Sequence, residues 1–196
     1  MTDVPSLTLP PLPPSGRVAL LGGSFNPPHL GHALLAHSIL SVEDVDTVWV
    51  LPCADHPFGK DLAAFDHRMR MCELAFSHLK NVHVVDVEQH MPTPSYTVQT
   101  LRILRNHLPS LRPSFVVGTD ILDELHLWKE PDALQELCEL VVVPRGGYPR
   151  RGKLELPLPE VSSSEVRDRL RDGKDATSLV DKGVHAYAVE RQLYAP

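Results

Sequence analysis

From Arg17 onward the chain alternates short apolar, β-branched runs with longer segments of helical period, and this alternation constrains the fold more than any other feature. Runs at residues 18–21, 47–51, 82–87, 115–118 and 140–143 carry the strand pattern. Segments at 30–40, 65–78 and 96–108, and a helical stretch ending at Leu137, lie between them. Ser114-Phe115-Val116-Val117 and Leu140-Val141-Val142-Val143 are nearly or wholly apolar without alternation, as expected of strands buried on both faces by helices. The expectation is an α/β fold, a Rossmann-like doubly wound parallel sheet, with two further amphipathic helices near 163–171 and 184–193 at the C-terminal end.

With 196 residues and 42% hydrophobic content, residues 16–196 suffice for one domain. Ahead of it, residues 1–15 hold Pro5, Pro10, Pro11, Pro13 and Pro14 and neither Lys nor Arg before Arg17. They read as a disordered tail rather than a signal peptide. No apolar stretch approaches the roughly 20 residues that cross a bilayer, so a soluble protein with no membrane contact is expected. Nineteen Lys plus Arg against 25 Asp plus Glu give a formal charge of −6, which argues against a nucleic-acid partner held by bulk charge. Anionic ligands must then be held by local groups. Cys53, Cys72 and Cys138 are scattered and odd in number, which suggests neither a disulfide framework nor a zinc site and suits a reducing cytoplasm. Residues 146–159 are rich in Gly, Pro, Arg and Lys and read as an exposed loop. With Arg145, Arg150, Arg151 and Lys153, the basic stretch either closes over a triphosphate or is a solvated surface.

In sheets of this kind ligands sit beyond the carboxyl ends of the strands. Gly22-Gly23-Ser24-Phe25-Asn26-Pro27-Pro28-His29-Leu30-Gly31-His32 directly follows the first strand and opens the first helix. Gly22 and Gly23 let backbone approach a ligand, and a helix starting near His29 aims free N–H groups and its positive dipole end at an anion. His29 and His32 are three apart on one helical face, where two imidazoles could donate to phosphate oxygens and offset charge that develops in phosphoryl or nucleotidyl transfer. Neither a dinucleotide fingerprint nor a P-loop is present, and an i, i+3 histidine pair without Glu is not the zinc-helix pattern, so no protein metal site is expected.

Ser162-Ser163-Ser164-Glu165-Val166-Arg167 combines a capping box, Ser162 with Glu165, and a guanidinium near the first turn that could grip phosphate. Gly118-Thr119-Asp120 ends the fourth strand and sets a carboxylate where ribose or adenine could be held, unless Asp120 is only a cap. Trp128, within Leu125-His126-Leu127-Trp128-Lys129, offers a flat face to a base or simply belongs to the core. Pro94-Ser95-Tyr96-Thr97 supplies amides and hydroxyls at the start of another helix.

These pieces in this order resemble the nucleotidyltransferase superfamily with the His-x-Gly-His signature and, within it, the bacterial nicotinate-nucleotide adenylyltransferases of NAD biosynthesis. The resemblance spans roughly residues 17–194. It implies ATP binding by Gly22, Gly23, Ser24, Phe25, His29, His32, Gly118, Asp120, Ser162, Ser163 and Arg167, with His29, His32 and Arg167 catalytic. Pro94-Ser95-Tyr96-Thr97-Val98-Gln99-Thr100 and Trp128 are similar to motifs of the nicotinate enzymes, which implies pyridine stacking by Trp128 and capture of the nicotinate carboxylate by backbone amides near Thr97 and Lys129, with Ser95 and Tyr96 beside them. His67-Arg68-Met69-Arg70-Met71 and Gln192-Leu193-Tyr194 also resemble that family. Lys60, in Pro57-Phe58-Gly59-Lys60, falls where the family has a basic residue, here without the histidine of a Pro-His pair.

The implied reaction is in-line attack by a phosphate oxygen of nicotinate mononucleotide on the α-phosphorus of ATP, with Mg²⁺ carried mainly by the phosphates. Two other readings stand beside it. One is adenylyl or cytidylyl transfer to another acceptor, such as nicotinamide mononucleotide or phosphopantetheine; the other is a non-catalytic nucleotide sensor. The sequence leaves a homo-oligomer open.

Overall fold

The computed structural model describes residues 7–55, 61–144 and 159–195. Five strands, β1 (Arg17–Gly23), β2 (Thr47–Pro52), β3 (Val82–Val84), β4 (Arg112–Gly118) and β5 (Glu139–Val143), form one parallel sheet in the order β3-β2-β1-β4-β5. The helices, in chain order, are α1 (Leu30–Val42), α2 (Phe65–Phe76), α3 (Thr97–His107), α4 (Thr119–Leu122), α5 (Pro131–Leu137), α6 (Ser163–Arg171) and α7 (Lys182–Glu190). The chain builds outward from β1 to β3, then crosses to β4 on the other side of β1. Strand order reverses between β1 and β4, which opens a crevice at their carboxyl ends.

Alternate residues of β1 serve two cores. Val18 and Leu20 pack with Trp49, Leu101, Leu104 and Leu134 on the face covered by α3 and α5. Ala19 and Leu21 pack with Val48, Val50, Leu35, Ile39 and Phe76 on the face covered by α1 and α2. Each such large side chain contributes about 1.5–3 kcal/mol of transfer free energy, and the two-sided burial is why the strands read as continuous apolar runs. A third cluster, Met71 with Val166, Val180, Val184 and Ala188, fastens α6 and α7 to the outer side of α2.

The expected helical stretch to Leu137 is broken into α4, a 3₁₀ turn at Leu125–Leu127 and α5. Pro131 stands in the first turn of α5, where its missing N–H costs nothing. Glu130 ahead of it takes a left-handed φ of 52°. Arg102 of α3 holds the Glu130 carboxylate in a two-pronged pair at 3.1 and 2.5 Å. β3 likewise stops at Val84, and Val87–His90 is a 3₁₀ turn rather than strand. In the proline-rich start, Leu7, Leu9 and Leu12 are partly buried against the first core cluster, and Gly16 N–H closes a turn on the Pro13 carbonyl at 2.8 Å. Leucines spaced between prolines anchor this segment, a feature its average composition conceals. Among the described residues, no helix is long and apolar enough to cross a membrane.

Candidate active site

A cleft of about 1370 Å³ lies at the switch point beyond the ends of β1 and β4. From the β1–α1 segment it is lined by Gly22, Gly23, Ser24, Phe25, His29 and His32, and from the end of β4 by Gly118 and Asp120. Ser162 and Ser163 at the start of α6 close one side, and Ser95, Tyr96, Thr97, Trp128 and Lys129 form the other end. Arg167 is not among the lining residues. Lys60 and the basic stretch 145–153 lie outside the described residues.

The sequence after β1 builds its half of the cleft by close approach. A Cβ on Gly22 would stand 3.2 Å from the Phe115 ring of β4, and one on Gly23 would stand 3.2 Å from the ring of Phe25. Phe25 adopts φ 45°, a conformation costly for a non-glycine residue. Burial offsets that cost: the ring is 2% exposed and meets Phe76 at 6.2 Å and His32 at 4.9 Å between centroids. His29 and His32 stack at 3.8 Å with a 30° tilt. Gly31 leaves the His29 ring its place in the stack, since a Cβ there would come within 3.1 Å of that ring and displace it by a few tenths of an ångström. The backbone N–H of His29, the N-cap of α1, donates to His32 Nδ1 at 3.1 Å. When neutral, His32 therefore carries its proton on Nε2. The first turn of α1 holds no acidic residue, so nothing there opposes an anion at the positive end of the helix.

α6 is joined to this segment through backbone carbonyls. Ser162 caps the helix by accepting from Glu165 N–H at 3.1 Å, as its spacing predicts. Ser163 Oγ donates to the Pro27 carbonyl at 2.8 Å. Arg167 donates to the Asn26 carbonyl at 2.8 Å and to Ser164 Oγ at 3.1 Å. A guanidinium carries five donors, so bracing the loop and meeting a phosphate are compatible. Asp120 is the second residue of α4, whose N-cap is Gly118, so capping does not explain it.

At the far end, Tyr96 is the N-cap of α3 and makes no side-chain cap bond to its first turn. The Lys129 ammonium lies 4.4 Å from the centre of the Tyr96 ring, and Trp128 meets Phe115 edge-on at 6.0 Å. Glu88 reaches into the cleft wall from the 3₁₀ turn after β3. Its Oε2 accepts from Ser95 Oγ at 2.6 Å and Ala54 N–H at 3.3 Å, and its Oε1 accepts from Thr100 Oγ1 at 3.3 Å. Burial pushes the Glu88 carboxyl above its ordinary value, and these hydrogen bonds with the positive charge of Arg68 pull it partly back. Burial likewise raises the Cys53 thiol on the cleft wall, countered by Arg68 and a hydrogen bond with Ser24.

The comparisons with known proteins agree with this geometry. A cytidylyltransferase-like family profile matches residues 20–169. A Myxococcus xanthus protein named "Probable nicotinate-nucleotide adenylyltransferase" is 41% identical over 182 residues, covering 92% of this chain and 96% of its own. This chain belongs to the nicotinate-nucleotide adenylyltransferase family. A Geobacillus kaustophilus relative of the same name is 34% identical, covering 91% of this chain and 86% of its own. Among solved structures, the fold is shared with Plasmodium falciparum nicotinic acid mononucleotide adenylyltransferase complexed with NaAD, at a TM-score of 0.77 and 21% identity over 90% of this chain and 96% of that one.

Three residues that hold this adenylyltransferase site together were not singled out as site residues from sequence. Asn26, 3% exposed, accepts through Oδ1 from Ala63 N–H at 3.1 Å and Tyr194 O–H at 2.8 Å, and donates to the Asp61 carbonyl at 3.3 Å. It ties the β1–α1 segment to the entry of α2 and to the chain's final turn. Arg68, 1% exposed, donates to the carbonyls of Ala63, Ser24, Cys53 and Ala54 at 2.7–3.2 Å, clamping the segments that follow β1 and β2. Glu88 is the third. A lone Asn, Arg or Glu has no periodicity, and its partners lie up to 168 positions away; only the quoted family-like blocks around Asn26, Arg68 and Tyr194 pointed to two of them.

Proposed function

We propose that the protein joins nicotinate mononucleotide to the AMP moiety of ATP, giving nicotinate adenine dinucleotide and pyrophosphate, a step of NAD biosynthesis. The observation that carries this reading is one continuous cleft with two unlike ends. A histidine stack at the positive end of α1 suits polyphosphate, and an aromatic end bearing Trp128, Tyr96 and Lys129 suits an anionic pyridine.

In this reading Gly22, Gly23, Ser24 and Phe25 bring backbone to ATP, with Gly118 and Asp120 at its nucleoside and Ser162 and Ser163 at its phosphates. Ser95, Tyr96, Thr97, Trp128 and Lys129 hold the mononucleotide, and Lys60 meets its phosphate. A mononucleotide phosphate oxygen forms a bond to the α-phosphorus as the bond from that phosphorus to the β-phosphate oxygen breaks. The electron pair leaves with pyrophosphate. The attacking phosphate is already ionised near neutral pH, so the chain's task is alignment and charge neutralisation by His29, His32 and Arg167. Mg²⁺ adds neutralising charge and is carried by the phosphates; among the described residues no group of three or more His, Cys, Asp and Glu is placed to hold a metal by itself. Three thiols, none in a disulfide, suit a cytoplasmic setting.

The test is pyrophosphate release from Mg·ATP with nicotinate mononucleotide, nicotinamide mononucleotide and phosphopantetheine in parallel. Preference for nicotinate mononucleotide is expected. Release only with another acceptor overturns the substrate, and ATP binding without release from any acceptor overturns the reaction.

A further inference from the structure

We propose that Glu88 is a positioning residue that sets the acceptor end of the cleft by tying residues 95–100 to the segment after β2. This inference rests on the reading of residues 95–97 as part of the mononucleotide site. Glu88 belongs to none of the motifs that carry the chemistry, yet its carboxylate joins three pieces of chain. One oxygen takes both the Ser95 hydroxyl at 2.6 Å and the Ala54 amide at 3.3 Å, and the other takes the Thr100 hydroxyl at 3.3 Å.

Those partners sit at decisive places. Ser95 directly precedes Tyr96, the N-cap of α3, and Thr100 is in the first turn of the same helix. Fixing both hydroxyls fixes where α3 begins, and with it the first-turn amides and the Tyr96 ring under Lys129. Ala54 follows β2, and its carbonyl is one of the four that Arg68 grips. The acceptor end is thereby braced to the buried Arg68 and through it to Ser24 on the ATP side. Ser95 and Thr100 are buried; deletion of the carboxylate leaves the Ser95 hydroxyl and the Ala54 amide without their acceptor and turns the Thr100 hydroxyl onto the Tyr96 carbonyl at 3.4 Å or the Met91 sulfur at 3.5 Å, and the α3 entrance loses its anchor. No contact between Glu88 and the reacting phosphates is invoked.

A carboxylate used only as an acceptor makes a specific prediction for Gln. The Gln carbonyl keeps Ser95 and Ala54, while its NH₂ faces Thr100, whose hydroxyl can turn to accept. Glu88→Ala should therefore raise KM for nicotinate mononucleotide by about tenfold or more while KM for ATP moves less than about twofold, and Glu88→Gln should restore the acceptor KM to within about threefold. A Glu88→Ala, Thr100→Val double variant should be no worse than Glu88→Ala alone, because Thr100 is not among the residues assigned to the mononucleotide and the two changes break the same link.

The measurements are steady-state pyrophosphate release with each substrate varied in turn, with circular dichroism confirming fold. An unchanged acceptor KM in Glu88→Ala, an equal rise in both KM values, or additive effects in the double variant overturns the proposal. If Glu88→Ala does not fold, Glu88→Gln and Thr100→Val decide: near-normal KM in the first and a raised acceptor KM in the second support it, and the reverse overturns it. Wild-type protein inactive with nicotinate mononucleotide overturns the functional reading and this inference together, whereas an active wild type beside an unaffected Glu88→Ala overturns this inference alone.

Discussion

Replacing Gly31 by Ala should separate activity from stability. The new methyl would lie 3.1 Å from Cε1 and Nδ1 of His29, so the ring must give way by a few tenths of an ångström, while the Pro159 carbonyl at 3.7 Å is in ordinary contact. Misplacement by about 1 Å can cost 10²-fold in rate, so a shift of a few tenths corresponds to roughly four- to tenfold in kcat. The stability effect has two opposed parts. Exchanging Gly for Ala in a helix gains about 0.5–1 kcal/mol, whereas overpacking a rigid core costs about 1–3 kcal/mol. His29 borders the cleft and is only partly buried, so its ring can yield and the overpacking cost stays at the low end. Urea unfolding should place the variant within about 1 kcal/mol of wild type, while pyrophosphate release slows. Wild-type kcat in a protein of equal or greater stability would refute the idea that Gly31 sets the His29 ring; a loss of several kcal/mol would refute the claim that the ring yields.

Replacing either His29 or His32 with Ala should lower turnover by something like 10²–10³, as for loss of one preorganised donor to developing charge; wild-type-like kcat in both would remove them from the mechanism. Asn26→Ala strands the Tyr194 hydroxyl, the Ala63 amide and the Asp61 carbonyl, and a stability loss of about 2–4 kcal/mol in urea is expected; Tyr194→Phe, which removes one of those bonds, should cost about 0.5–1.5 kcal/mol. Burial pushes the Cys138 thiol from 9.0 up to about 11 and raises Cys72 well above 9.0. The unfolded chain therefore releases these protons first, and the stability present below about pH 9 should fall as pH rises toward 11. Unfolding free energies that stay flat between pH 8 and 10.5 would contradict this.

Much of the architecture is local enough to be legible in the chain. Strands buried on both faces must be continuously apolar, so the alternation of such runs with helical segments led to a parallel sheet covered on two sides, and the bounds of α6 follow from Ser162 at its cap and its amphipathic period. The glycine pair, His29, Gly31 and His32 were readable because a strand-to-helix turn that approaches a phosphate needs small residues and donors at fixed offsets. Trp128, Tyr96 and the Ser162–Ser163 pair fell into the same cleft because each lies just before a helix or just after a strand end, where this topology gathers its ligand-facing residues.

Other features depended on partners remote in sequence. At the break before α5, Pro131 disfavours helix at Glu130 from the local sequence, whereas the pairing of the left-handed Glu130 with Arg102 of α3 is a remote contact that no helical period records. The packing of Leu7, Leu9 and Leu12 depended on a core surface that only the assembled sheet supplies. Arg167 looked like a phosphate ligand by type and position, yet its grip on the Asn26 carbonyl required the β1–α1 loop to pass beside α6. Periodicity and turn chemistry are properties of a few neighbouring residues and are written in the sequence alone. Asn26, Arg68 and Glu88 acquire their roles from carbonyls, amides and hydroxyls that come within 3.3 Å only after folding, so the tertiary structure alone decided them.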